Sequence, residues 1–219
     1  PPFTSWETAS DSIQKCINIC VDGDTVIVAN GVYKESLIIN PAISLIGSSM
    51  DSCVIDGRGL ALTVIQFINH GYIDGFNIIG LGREDMNYQG ILCGNYKNLD
   101  VINCRITNCY DGIYFRKSSG EIKNVIMQEI VCGVFTFCMS DTCKPKLYNS
   151  LIVLDAALGK FAWDSFDGGE PTIENNIMVG KKRHENDAPQ GIAKAFRAHK
   201  KLILRNNLMA GFLYCISQD

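Results

Sequence analysis

Three cationic residues, Arg116, Lys194 and Arg197, stand in short runs of alternating character: Ile113-Tyr114-Phe115-Arg116 and Lys194-Ala195-Phe196-Arg197. Cations held on a rigid strand can neutralise a carboxylate, and a neighbouring side chain can move a proton. Tyr114, Phe135 and Trp163 lie in runs of the same kind. An aromatic ring on the outside of a sheet offers a flat apolar face to a sugar ring; a ring covered by a loop is the alternative. Asp164, Asp167 and Glu170 share one acidic, Gly-rich stretch, Asp164-Ser165-Phe166-Asp167-Gly168-Gly169-Glu170. Their carboxylates could supply hard oxygen ligands to a calcium ion (Ca2+), and a solvated turn is the alternative. His70, in Asn69-His70-Gly71, reads as a turn residue before it reads as a base.

The elements that must position these side chains are short strands in a repeat. Gly90-Ile91, Gly112-Ile113 and Gly133-Val134 recur at nearly constant intervals, and Asn103, Asn124, Asn149, Asn175-Asn176 and Asn206-Asn207 recur in step, each before a short apolar run. Every repeat therefore holds three strands: A after the Gly, B before the Asn, and C after the Asn. Runs this short cannot bury an apolar face alone, so successive coils must stack, about 4.8 Å per strand, around one core. The predicted fold is all-β, a right-handed parallel β-helix solenoid. The Asn residues suit a left-handed corner and can bond to one another as an asparagine ladder, and the Gly residues are expected to take positive φ where C turns into A. Alternation points Ile113, Phe115, Val134 and Thr136 inward and Tyr114, Arg116, Phe135 and Phe137 outward. From there insertions shift the register, so the phase of Trp163, Asp164, Lys194 and Arg197 stays open.

Earlier coils are less regular: strands are expected over 24–28, 36–39, 42–47, 53–57, 63–67 and 72–79, with a turn at Gly31-Val32-Tyr33. An N-terminal capping α-helix is predicted from Asp11, as its cap, to Cys20, with Ile13, Cys16, Ile17 and Cys20 on one face over the end of the solenoid. The cap segment is 1–22 and the coils run over 23–219 as one domain. Two insertions, 81–89 and 181–190, project beside strand A, where loops on a rigid scaffold carry function. Phe212-Leu213-Tyr214-Cys215-Ile216 looks like strand A of a further coil, so more of the same chain is expected to cover that end. The chain opens Pro1-Pro2-Phe3 and reads as a mature or excised domain.

Hydrophobic residues make up 47% and charged residues 20% of the 219, which a packed core requires. Net charge is −3 with both signs dispersed, so neither a nucleic-acid footprint nor a membrane-inserting segment is expected. Most of the ten cysteines read as small core residues, with disulfides as the alternative and Cys138–Cys143 the best local candidate.

The stretch SIQKCINICVDGDTVIVANGVYKESLIINPAISLIGSSMDSCVIDG resembles the first coils of the pectin-lyase-like superfamily, and Glu170-Pro171-Thr172-Ile173-Glu174-Asn175-Asn176-Ile177 looks like one of its typical coils. The resemblance implies a secreted or cell-surface protein that binds or cleaves an acidic polysaccharide on the strand A face. A lyase acting on a uronate needs charge neutralisation, a base and often calcium, which Arg116, Lys194, Arg197 and the acidic turn could provide. The Gly-Arg-Pro-Trp of methylesterases and the Gly-His-Gly and Arg-Ile-Lys of polygalacturonases are absent. A non-catalytic structural or adhesion module of a larger surface protein is therefore the rival reading.

Overall fold

The structure, a computed structural model, describes residues 3–94, 97–138, 143–154, 160–166, 169–180, 194–198, 202–212 and 214–217. Its strands pair in parallel and stack in three rows. Row B is an eight-stranded sheet from Thr25–Val28 through Leu99–Ile102, Glu121–Lys123 and Lys146–Tyr148 to Ile203–Arg205. Row C runs from Gly31–Tyr33 through Cys53–Asp56 and Asn77–Ile79 to Leu208–Ala210. Row A runs from Leu37–Ile39 through Thr63–Phe67, Gln89–Gly94 and Phe161–Phe166 to Lys194–Ala198 and Tyr214–Ser217. In two coils C and A are continuous, over Arg105–Arg116 and Ile126–Phe137, which joins both rows into one fourteen-stranded sheet.

The B phase follows the predicted alternation. Ile122, Leu147 and Ile173 are register partners and all are fully buried. They belong to a continuous interior cluster that reaches from Ile13 to Phe196. At the corner between B and C, Asn103, Asn124, Asn149, Asn175 and Asn206 all have φ between 47° and 57°. Asn tolerates this left-handed region because its short amide bonds locally. Asn124 Nδ2 donates to Asn103 Oδ1 at 3.1 Å, and Asn103 Nδ2 to Asp74 at 3.0 Å. The second Asn of each pair does different work. Asn176, buried inside the corner, donates to the Leu147 carbonyl and to Asn207 Oδ1, and accepts from the Ser150 N–H.

Several expectations are corrected. The strand expected over 72–79 is two, Gly71–Asp74 and Asn77–Ile79, because Gly75, at φ 80°, occupies the corner that Asn fills later. Gly31–Tyr33 is a strand, paired with Cys53–Ile55. Gly90, Gly112 and Gly133 do not have positive φ; they are small because the next coil comes too close. A Cβ on Gly90 would lie 2.6 Å from the Gly112 carbonyl oxygen, and one on Gly112 2.7 Å from that of Gly133. Positive φ at that corner falls instead on Asn108 and Glu129.

The N-terminal helix is only Ile13–Ile17. Its cap is Ser12, which accepts from the Lys15 N–H, while Glu35 accepts from the N–H groups of Ile13 and Gln14. Those contacts satisfy donors that the first turn of any helix leaves without an intrahelical partner. Ile13 and Ile17 join the core; Cys16 and Cys20 are only partly covered.

Candidate functional site

The outer face of row A gathers the chemistry. Ile113, Phe115, Val134 and Thr136 are buried, Tyr114, Phe135 and Phe137 are half-exposed, and Arg116 is exposed, so the predicted phase holds for these two coils. Stacking places Tyr114 beside Phe135 and Arg116 beside Phe137, with Phe166 next after Phe137 in that column. Tyr114 and Phe135 meet with ring centroids 5.0 Å apart, and Phe137 and Phe166 stack at 5.9 Å. Arg116 makes no ion pair among the described residues.

Trp163 is not part of this face. Cys132 pairs with Phe161 and Val134 with Trp163, so Ala162 stands where Gly112 and Gly133 stand in earlier coils. That alignment turns Trp163 inward, where it is fully buried, and puts Asp164 in the outward column after Tyr114 and Phe135. Without a glycine to mark the corner, sequence alternation could not set this phase.

Asp164 has a partner that sequence reasoning missed. The would-be Cβ of Gly112 points at Met127 in the interior. The preceding Asp111 therefore falls on the outer side, in the column with Gln89, Cys132 and Phe161. Asp111 and Asp164 are 5% and 4% exposed. Burial pushes the Asp111 carboxyl up to about 8, the charge of Asp164 adds to the rise, and a hydrogen bond from Cys132 opposes it. Asp111 in turn contributes to a raised Tyr114 phenol, after burial and against the opposing Arg116. A signal existed in the sequence: each residue before a marker Gly, Gln89, Asp111 and Cys132, repeats at one register position.

The insertion at 81–89 does lie beside row A, since the Tyr88 carbonyl accepts from the N–H groups of both Tyr110 and Asp111. The insertion at 181–190 and Asp167 lie outside the described residues. Glu170 pairs with Lys144 at 3.5 Å, and among the described residues no three metal-ligating side chains converge. Lys194 and Arg197 are placed by backbone register opposite Phe161 and Asp164. His70 is a turn residue whose Nδ1 accepts from the Asn98 N–H. Cys138 and Cys143, the best local candidate pair, form a disulfide, and Cys16, Cys20, Cys53, Cys93, Cys104 and Cys109 are not disulfide-bonded.

The geometry is a charged and aromatic shelf on stacked strands, with two buried carboxyls, Asp111 and Asp164, beside it. No family model and no curated protein matches the chain. Solved structures do. A pectin methylesterase from Aspergillus niger is 12% identical with a TM-score of 0.60 over 94% of this chain and 84% of that one. One from Yersinia enterocolitica is 11% identical, with a TM-score of 0.54 over 91% and 90%. A pectin methylesterase variant in complex with hexasaccharide IV is 12% identical, with a TM-score of 0.54 over 80% and 77%. At this identity the likeness concerns the fold alone, a right-handed parallel β-helix.

Proposed function

We propose that this protein is a secreted or cell-surface carbohydrate-active β-helix that binds an acidic polysaccharide along row A and hydrolyses one of its bonds with Asp111 and Asp164. The observation that carries the reading is the pair of buried outer-face carboxyls, in which burial raises Asp111 and the charge of Asp164 adds to the rise. Two carboxyls whose surroundings drive their proton affinities apart are the usual basis for dividing acid and base roles. Asp111, neutral through pH 7, suits proton donation to a leaving oxygen. Asp164, as the carboxylate of the pair, would serve to activate water or to attack directly.

The aromatic pairs Tyr114–Phe135 and Phe137–Phe166 form a floor for sugar rings, and the Arg116 guanidinium, exposed and without an ion pair among the described residues, suits a uronate carboxylate. Lys194 and Arg197, on the strand paired with that of Asp164, would extend the cationic side. The low exposure of both carboxyls favours reaction at a substituent, such as an ester, over cleavage of the polymer chain. Structural neighbours named as pectin methylesterases, one holding a hexasaccharide, fit that choice. The disulfide fits an oxidising compartment.

The test is a panel of esterified and de-esterified acidic polysaccharides with wild type, Asp111→Asn, Asp164→Asn and Arg116→Ala, with and without a chelator. Released alcohol or acid, lost in both Asp variants, supports the reading. Unsaturated uronate products dependent on calcium would instead revive a lyase served by the acidic turn. Binding without products would make this a recognition surface. No binding at all would favour a structural or adhesion module.

A further inference from the structure

A second groove lies on another part of the solenoid, along the corner between rows B and C. It is an open groove of about 350 Å3. The floor is an apolar column, Ile126, Leu151 and Ile177, which are register partners in successive coils. One wall is made of Asn124, Asn149 and Asn175, one per coil, all exposed. Among the described residues the side-chain amides of Asn149 and Asn175 have no partner, and Asn124 uses only one N–H, toward Asn103. Met50 closes one end, and the ion pair of Asp51 with Arg105 at 3.1 Å ties its loop to row C.

We propose that this groove is a binding site for a neutral oligosaccharide, separate from the row A face. Among the described residues no charged side chain lines it, so it has nothing to neutralise a uronate and no reason to select one. The amides repeat at the coil spacing, roughly 4.8 Å, and each offers both a donor and an acceptor, as a row of sugar hydroxyls requires. Beside them a continuous aliphatic strip suits the C–H faces of the same sugars. A free acyl chain would match the strip but leave the amides unused. The proposal does not depend on catalysis at Asp111 and Asp164.

The backbone supplies a clean probe. Asn149 and Asn175 sit at φ 48° and 57°, a region glycine enters without cost, so Asn149→Gly with Asn175→Gly removes the amides and keeps the corner. Titration with xylohexaose, cellohexaose and a galactan hexasaccharide, with hexagalacturonate as the charged control, reads the site. At least one neutral hexasaccharide should bind the wild type. The double Gly variant should weaken it about tenfold, as two lost hydrogen bonds imply. Leu151→Asp should abolish it, while Arg116→Ala leaves it unchanged, with thermal melts confirming that each variant is folded. Three results would overturn the site: no neutral sugar bound by wild type, binding lost in Arg116→Ala but not in the groove variants, or hexagalacturonate preferred by the groove.

Discussion

Asp111 and Asp164 stand on the outer face of row A two coils apart, both almost fully buried, and the second carboxylate helps to hold a proton on the first. Such a pair is costly to fold around, because burial penalises each charge and the two repel.

That cost has a sign and a pH window. Asp111 has a folded value near 8 against an ordinary 3.8, so the native state holds a proton that the unfolded chain has released between those values. Native stability therefore falls as pH rises from about 4 to about 8. Asp111→Asn removes the titration. Its melting temperature should exceed that of the wild type by more at pH 8 than at pH 4. An equal shift at both would mean that Asp111 ionises normally.

Leu147 is fully buried between Ile122 and Ile173 in row B. Leu147→Ala should cost roughly 2–5 kcal/mol in chemical denaturation, the range for truncating a packed leucine. A near-neutral result would contradict the inward phase of the row.

Trp163 and Phe135 separate core from shelf. The Trp163 indole N–H is buried and has no hydrogen-bond partner among the described residues. Trp163→Phe should leave polysaccharide binding intact and alter stability little, since the lost ring area is offset by removing an orphaned donor. Phe135→Ala should weaken polysaccharide binding. The reverse pattern in a binding assay would place the tryptophan, not the phenylalanine, against the ligand.

The short helix brings Ile13 and Ile17 into the first coil's core. A chain lacking residues 1–20 should bind a hydrophobic dye and aggregate, because the end of a solenoid exposes apolar side chains when uncovered. Unchanged melting and a monomeric elution profile would show that the first coil closes itself.

Periodicity alone was sufficient for the coil, its three strands, the left-handed asparagine corner and the inward phase of Ile122, Leu147, Ile113 and Val134. These follow from local rules: alternation along a strand, and a residue type that accepts an unusual φ. The same rules supported Cys138–Cys143, a pair close in sequence. They failed wherever the answer depended on how one coil sits on the next. Gly75 replaced an asparagine and Ala162 a glycine, so the marker disappeared while the corner remained. The phase of Trp163 and Asp164 then came only from the pairing of Val134 with Trp163. The Asp111–Asp164 relationship is further from reach, because it joins residues distant in sequence through two layers of parallel pairing. The proton affinity of Asp111 depends on burial and on that neighbour, and neither exists until the coils have stacked.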